Sequence, residues 1–143
     1  MFLKKRWSLL LLKHRRQTAK FQFVDEVYMI KELLYKFMSL IESNQVEVYN
    51  EFSLQHELGI FLRNQLEGYK VQFERNTKHF GISGTVKHEI DIVVFSDTER
   101  YAIELKYPLN GQYPEQMYAF AKDIAFMEQL TDMGFNGAYC ITL

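Results

Sequence analysis

The run Glu89-Ile90-Asp91-Ile92-Val93-Val94-Phe95, the polar stretch Ser96-Asp97-Thr98-Glu99-Arg100 and the run Tyr101-Ala102-Ile103-Glu104-Leu105-Lys106-Tyr107 decide the reading of this chain. The outer segments are rich in Ile, Val, Phe and Tyr, and the polar residues between them suit a hairpin turn. Side chains alternate across a strand, so Glu89 and Asp91 share one face, as do Glu104 and Lys106. Ile90, Ile92, Val94, Ile103 and Leu105 take the opposite faces. If the two polar faces coincide, Asp91, Glu104 and Lys106 converge above a hydrophobic layer. Charges at alternate positions inside apolar strands are costly unless paired or functional.

Two convergent carboxylates suit a hard cation. Mg²⁺ takes oxygen ligands, commonly one or two carboxylates with waters and phosphate oxygens, and Mn²⁺ can stand in for it. Asp91 and Glu104 supply the carboxylates, and the Leu105 carbonyl can add a ligand. A bound metal acidifies a coordinated water and neutralises charge building on a phosphate. Lys106 can orient or deprotonate that water or stabilise a pentavalent phosphorus. Such a site carries phosphodiester hydrolysis.

Asp91, a gap of twelve residues, and Glu104-Leu105-Lys106 together resemble the PD-(D/E)XK nuclease superfamily, which includes many restriction enzymes and Holliday junction resolvases. The resemblance spans roughly residues 51–143 and is strongest over 85–107. It departs from the pattern at Ile90, where the family name implies Pro. It implies an α/β (α+β), restriction endonuclease-like core of order α, β, β, β, α, β, with a mixed central sheet flanked by helices. It also implies a metal-dependent nuclease acting on DNA, with Mg²⁺ or Mn²⁺ as cofactor. The alternative is a nuclease-like fold that binds nucleic acid or a protein without catalysis.

At 143 residues, the chain is one domain with room for a core. Hydrophobic residues make up 48% and charged residues 24%, with only two Pro and seven Gly, which argues against a disordered or loop-rich chain. The lone Cys140 cannot form an internal disulfide, so a reducing cytoplasm is expected. Charge is uneven. Residues 1–20 carry seven basic side chains and no acid, while the remaining 123 carry ten basic and eighteen acidic, a balance of −8. A basic arm over residues 1–22 suits nucleic-acid phosphates and also anionic membrane surfaces, or equally a solvated terminus. Trp7–Leu12 is short for a secretion signal and is followed at once by Lys13-His14-Arg15-Arg16. No run approaches the ~20 apolar residues of a membrane span.

Apolar residues at Phe23, Val27, Ile30, Leu34, Phe37 and Ile41 predict a helix over 23–45, extra to the core. Its stripe is expected to pack within the chain; a homodimer contact is the alternative. A second helix is predicted over 51–67, from Asn50 as cap to Gly68 as stop. The superfamily often draws one more acid from this position, and Glu51 and Glu57 are the candidates. Glu51 lies about 20° from Leu58 at the middle of the apolar stripe and Glu57 about 100° away on its flank, so Glu51 is the expected inward acid. Glu57 is the alternative if the helix is rotated, and Gln55 lies close to the Glu51 bearing.

Further strands are expected over 69–74, 85–95, 101–107 and 138–143, a loop over 76–84, and a third helix over 113–131. In several branches of the superfamily, a Gln and an aromatic four residues on flank the site from that helix, which Gln116 and Phe120 loosely resemble. Gln112, Lys122 and Asp123 are further polar candidates there. Glu89 can assist the metal, and Lys87 and His88 can touch phosphates, although isolated residues of these kinds are more often only solvated. The final strand has no polar tail, so it is expected either to dock in the sheet or to mark a chain cut from something longer.

Overall fold

The computed structural model describes residues 8–11, 23–108 and 113–143. Two helices come first: α1, Phe23–Glu42, and α2, Glu51–Gln65. α1 ends three residues earlier than expected, because Asn44 turns the chain out in the left-handed region (φ 57°), a conformation Asn tolerates. Asn50 caps α2 as predicted. The Ser53 amide donates to Asn50 Oδ1 at 2.7 Å and the Asn50 amide donates to Ser53 Oγ at 3.1 Å, which satisfies two otherwise orphaned donors.

The strands are β1, Ser8–Leu11; β2, Lys70–Asn76; β3, Glu89–Phe95; β4, Arg100–Lys106; and β5, Gly137–Thr142. The helix α3, Tyr113–Asp132, links β4 to β5. From α2 onward the order α, β, β, β, α, β agrees with expectation. β2, β3 and β4 run antiparallel and β4 and β5 parallel, which makes an α+β fold around a four-stranded mixed sheet, β5-β4-β3-β2. Ser8–Leu11 extends the β5 edge antiparallel, although the sequence reading placed these residues in a basic arm. The rest of that arm lies outside the described residues.

Both faces of the sheet are covered. α1 and α2 pack on one, where Ile30, Leu34, Phe37, Leu54, Leu58 and Leu62 meet Ile92, Ile103 and Leu105. Ile30, Leu34 and Phe37 of the α1 stripe are thereby buried within the chain. On the other face, Phe126, Met127 and Leu130 of α3 meet Val93, Ala102 and Ala138. The strand expected from Thr85 begins only at Glu89, and the expected loop contains a 3₁₀ turn, Thr77–Phe80. The Thr77 amide donates to the His88 carbonyl at 2.8 Å and Thr85 Oγ1 to the Lys87 carbonyl at 2.5 Å, so local bonds replace a ladder here. No described helix is long and apolar enough to cross a membrane.

One expectation about faces fails. Strand alternation places Ile90 on the face of Ile92 and Val94, yet it packs in the α3 cluster. The cause is Glu74, opposite Asp91, whose backbone is left-handed (φ 48°). The register runs through Phe73↔Ile92 and Arg75↔Ile90 but skips this row, and the local kink turns the following pair over.

α2 lies close on the sheet at Gly59. A Cβ there would meet Phe73 Cζ at 2.1 Å and Cε1 at 2.4 Å. Gly59→Ala is therefore expected to push Phe73 aside and destabilise the fold by about 1–3 kcal/mol, read as a lowered urea midpoint with an unchanged slope.

Candidate active site

The site is a fork in the sheet. β3 and β4 pair from Phe95↔Arg100 to Ile92↔Ile103 and then part. Beyond the last pair, side chains take over from the ladder. The Leu105 amide donates to Asp91 Oδ2 at 2.8 Å, and the Asp91 amide donates to Glu104 Oε1 at 3.3 Å. The strand ends thus hold two carboxylates in place through the backbone of the opposite strand.

α2 braces the fork from the other layer. Gln55 Nε2 donates to the Asp91 carbonyl at 2.9 Å and to Glu74 Oε1 at 2.7 Å. One amide group therefore ties together α2, the kinked residue and the site strand. Left-handed backbone at a residue with a side chain is strained and persists where its surroundings hold it; the Gln55 bridge helps to do so.

On the α3 side lies a buried ion-pair chain. Glu104 is 0% exposed and its Oε2 is paired with the Lys87 ammonium. Lys87 also reaches Asp123 Oδ1 at 2.9 Å, and Lys106 reaches Asp123 Oδ2 at 2.9 Å. The Lys87 ammonium lies 5.6 Å from the centroid of the Phe126 ring. The Lys87 and Lys106 side chains are 24% and 30% exposed, so this chain opens to solvent only on its cationic side.

Burial governs the proton affinities. It pushes the Glu104 carboxyl up to about 8; Asp91's charge adds to the rise, and Lys87 opposes it. Burial also raises Asp91 to about 6, against the Leu105 amide bond and Lys87. The Lys87 ammonium is held well above its ordinary value, because Glu104 and Asp123 outweigh its own desolvation. Lys106 moves the same way through Asp123, with a further contribution from Glu51.

The sequence-predicted residues divide into three groups. Asp91 and Glu104 meet at the fork, but Lys106 turns to Asp123. Glu51 is exposed, not buried in the apolar stripe, because it is the first residue of α2 and lies beyond the core. Its Oε2 accepts the Tyr107 amide at 3.2 Å. With Lys106, Gln116 and Phe120 it lines a cleft of about 460 Å³. Glu57 carries no hydrogen bond or ion pair among the described residues, and Glu89 is exposed at the start of β3. The Leu105 residue is fixed at the fork through its amide. Gln112 lies outside the described residues.

Lys87 requires a correction. Expected either to touch phosphates or to be merely solvated, it is not merely solvated but half-buried between two acids. Its partner Asp123 was only one of several polar candidates, yet a signal was available. Asp123 precedes Phe126, Met127 and Leu130 by three, four and seven residues, the spacing of a single helix face. A carboxylate on a buried face requires a partner.

Among the described residues, no group of three or more His, Cys, Asp or Glu side chains forms a metal cage. The donor chemistry still accommodates a hard cation. With all groups ionised, three carboxylates (Asp91, Glu104, Asp123) face two ammonium groups (Lys87, Lys106), a local surplus of one negative charge. Waters and phosphate oxygens complete such sites. No protein-family model, curated protein or solved structure matches the chain.

Proposed function

We propose that the chain is a metal-dependent nuclease of the PD-(D/E)XK type, with a restriction endonuclease-like core, that hydrolyses phosphodiester bonds in DNA. The observation that carries this reading is the fork, with Asp91 and Glu104 held through each other's strand at the sheet end and Lys106 at the edge of the adjoining cleft. Asp91 and Glu104 are the residues that would hold Mg²⁺ or Mn²⁺. Bound there, the ion would supply an acidified water and positive charge for the phosphate. Lys106, anchored by Asp123, presents its ammonium to the cleft to orient water and offset charge on the phosphorus. Asp123 keeps that lysine protonated and in place, and Glu51 lines the same cleft.

One observation favours a second reading, a nuclease-like fold that binds without cleaving. Lys87 already compensates Glu104, so the buried acid is satisfied without a metal. Calorimetric titration of Mg²⁺ into the protein bound to a phosphorothioate duplex separates the two readings. The expected result is a saturable heat in the wild type that is absent in Asp91→Ala. Equal heats in both proteins, or no heat in either, would remove the metal site and leave the binding-only fold.

A further inference from the structure

Away from the fork, β2, the turn after it and the start of β4 carry a second group of charges, cationic except for Glu74 on β2. Lys70, Phe95 and Arg100 lie side by side across β2, β3 and β4. The Lys70 ammonium is 5.9 Å from the centroid of the Phe95 ring, and the Arg100 guanidinium is 5.5 Å from that of Phe80. Phe80 meets Phe95 edge-on, with centroids 5.3 Å apart. These rings therefore hold the cations without neutralising them. Arg75 donates to His79 Nδ1 at 2.9 Å, and Lys78 is exposed beside it. None of Lys70, Arg75, Lys78 and Arg100 forms an ion pair among the described residues.

The position of this group matters. Phe80 and Phe95 pack against the cluster under α3, the side on which Lys87 and Lys106 meet Asp123. Arg75 pairs with Ile90, the residue before Asp91. From Lys70 to Arg75 is five residues, about 17 Å of strand, which matches about five nucleotide steps of one DNA strand. Elsewhere residues 21–143 carry a surplus of acids, so a polyanion would be repelled from most of the surface and attracted here.

We propose that Lys70, Arg75, Lys78 and Arg100 form a phosphate-backbone track that leads a nucleic-acid strand along the β2 edge to the Asp91 fork. The track takes its partner from the nuclease reading, but its evidence is separate from the carboxylates. Cations held by ring contacts lose little freedom on binding, which favours contact, and contacts to phosphates position a strand without reading its sequence.

Fluorescence anisotropy with a labelled duplex, on the full chain in EDTA across a salt series, tests the track. Lys70→Ser/Lys78→Ser is expected to weaken binding about tenfold and to reduce the slope of log K against log[salt] by about 2. Lys31→Ser/Lys36→Ser on α1, with the same charge change, is expected to leave both close to wild type. Equal losses in the two variants, an unchanged track variant, or no binding by the wild type would each overturn the track. Cleavage in Mg²⁺ is scored separately. Cleavage by the wild type with an unchanged track variant defeats the track alone, while track-dependent binding without any cleavage supports the track and defeats the nuclease reading.

Discussion

Asp91→Ala and Lys106→Ala are each expected to lower DNA cleavage about 10²–10³-fold while the fold is retained; losing a single positioned charge or donor in an active site costs on this scale. The two variants should fail differently. Asp91→Ala removes one of the two proposed metal ligands and the acceptor of the Leu105 amide, so metal binding is expected to be lost as well. Lys106→Ala leaves both fork carboxylates in place, so metal binding survives while cleavage falls. It also leaves Asp123 with Lys87 as its only ion-pair partner among the described residues. Cleavage assays on a panel of duplex, junction and single-stranded substrates, run beside the metal titration, check both. Wild-type cleavage retained in both variants would sink the assignment.

Lys87→Met is expected to give the largest loss of stability, and the loss should depend on pH. At pH 8.5 Glu104 is above its raised value of about 8, and deleting Lys87 leaves a buried charge without its counter-ion. Breaking a buried pair in this way costs about 3–5 kcal/mol. At pH 6 Glu104 carries its proton, and the cost should shrink to about 1.5–3 kcal/mol, that of hydrogen bonds made by a charged group, because the Lys87 ammonium still donates to Asp123. The wild type without metal has its own pH dependence. Asp91 and Glu104 both bind protons more tightly folded than unfolded. Their contribution is therefore most favourable below the unfolded carboxylate values near 4 and declines as pH rises through about 6 and then about 8. Lys87, raised from a model-peptide value of 10.5, contributes fully across that window. Urea melts in EDTA at the two pH values check this; a small penalty that does not vary with pH would show that Lys87 does not compensate Glu104.

The local elements were legible because their signals are local. Alternating Ile and Val with the polar turn marked β3 and β4, Asn50 marked the start of α2, and the stripe Ile30, Leu34, Phe37 marked α1. Spacing alone put Asp91 and Glu104 on facing strands. Ser8–Leu11 was not legible as a strand, because a short apolar run becomes one only when an edge such as β5 is open to receive it. The kink at Glu74 was equally hidden, since nothing in Phe73-Glu74-Arg75 marks a left-handed residue; its surroundings, including the Gln55 bridge from α2, hold it.

By itself the sequence determined the three helices and the strands β2 to β5, their order and the two carboxylates at the fork. The tertiary structure decided which charges meet. Lys87 lies 17 residues from Glu104 and 36 from Asp123, and no periodicity of 2 or 3.6 relates positions so far apart. Packing α3 over the sheet removes water from Glu104, and a carboxylate deprived of water must take a proton, a cation or a donor. Lys87 became its partner because the irregular segment before β3 delivers that side chain to the gap beneath α3.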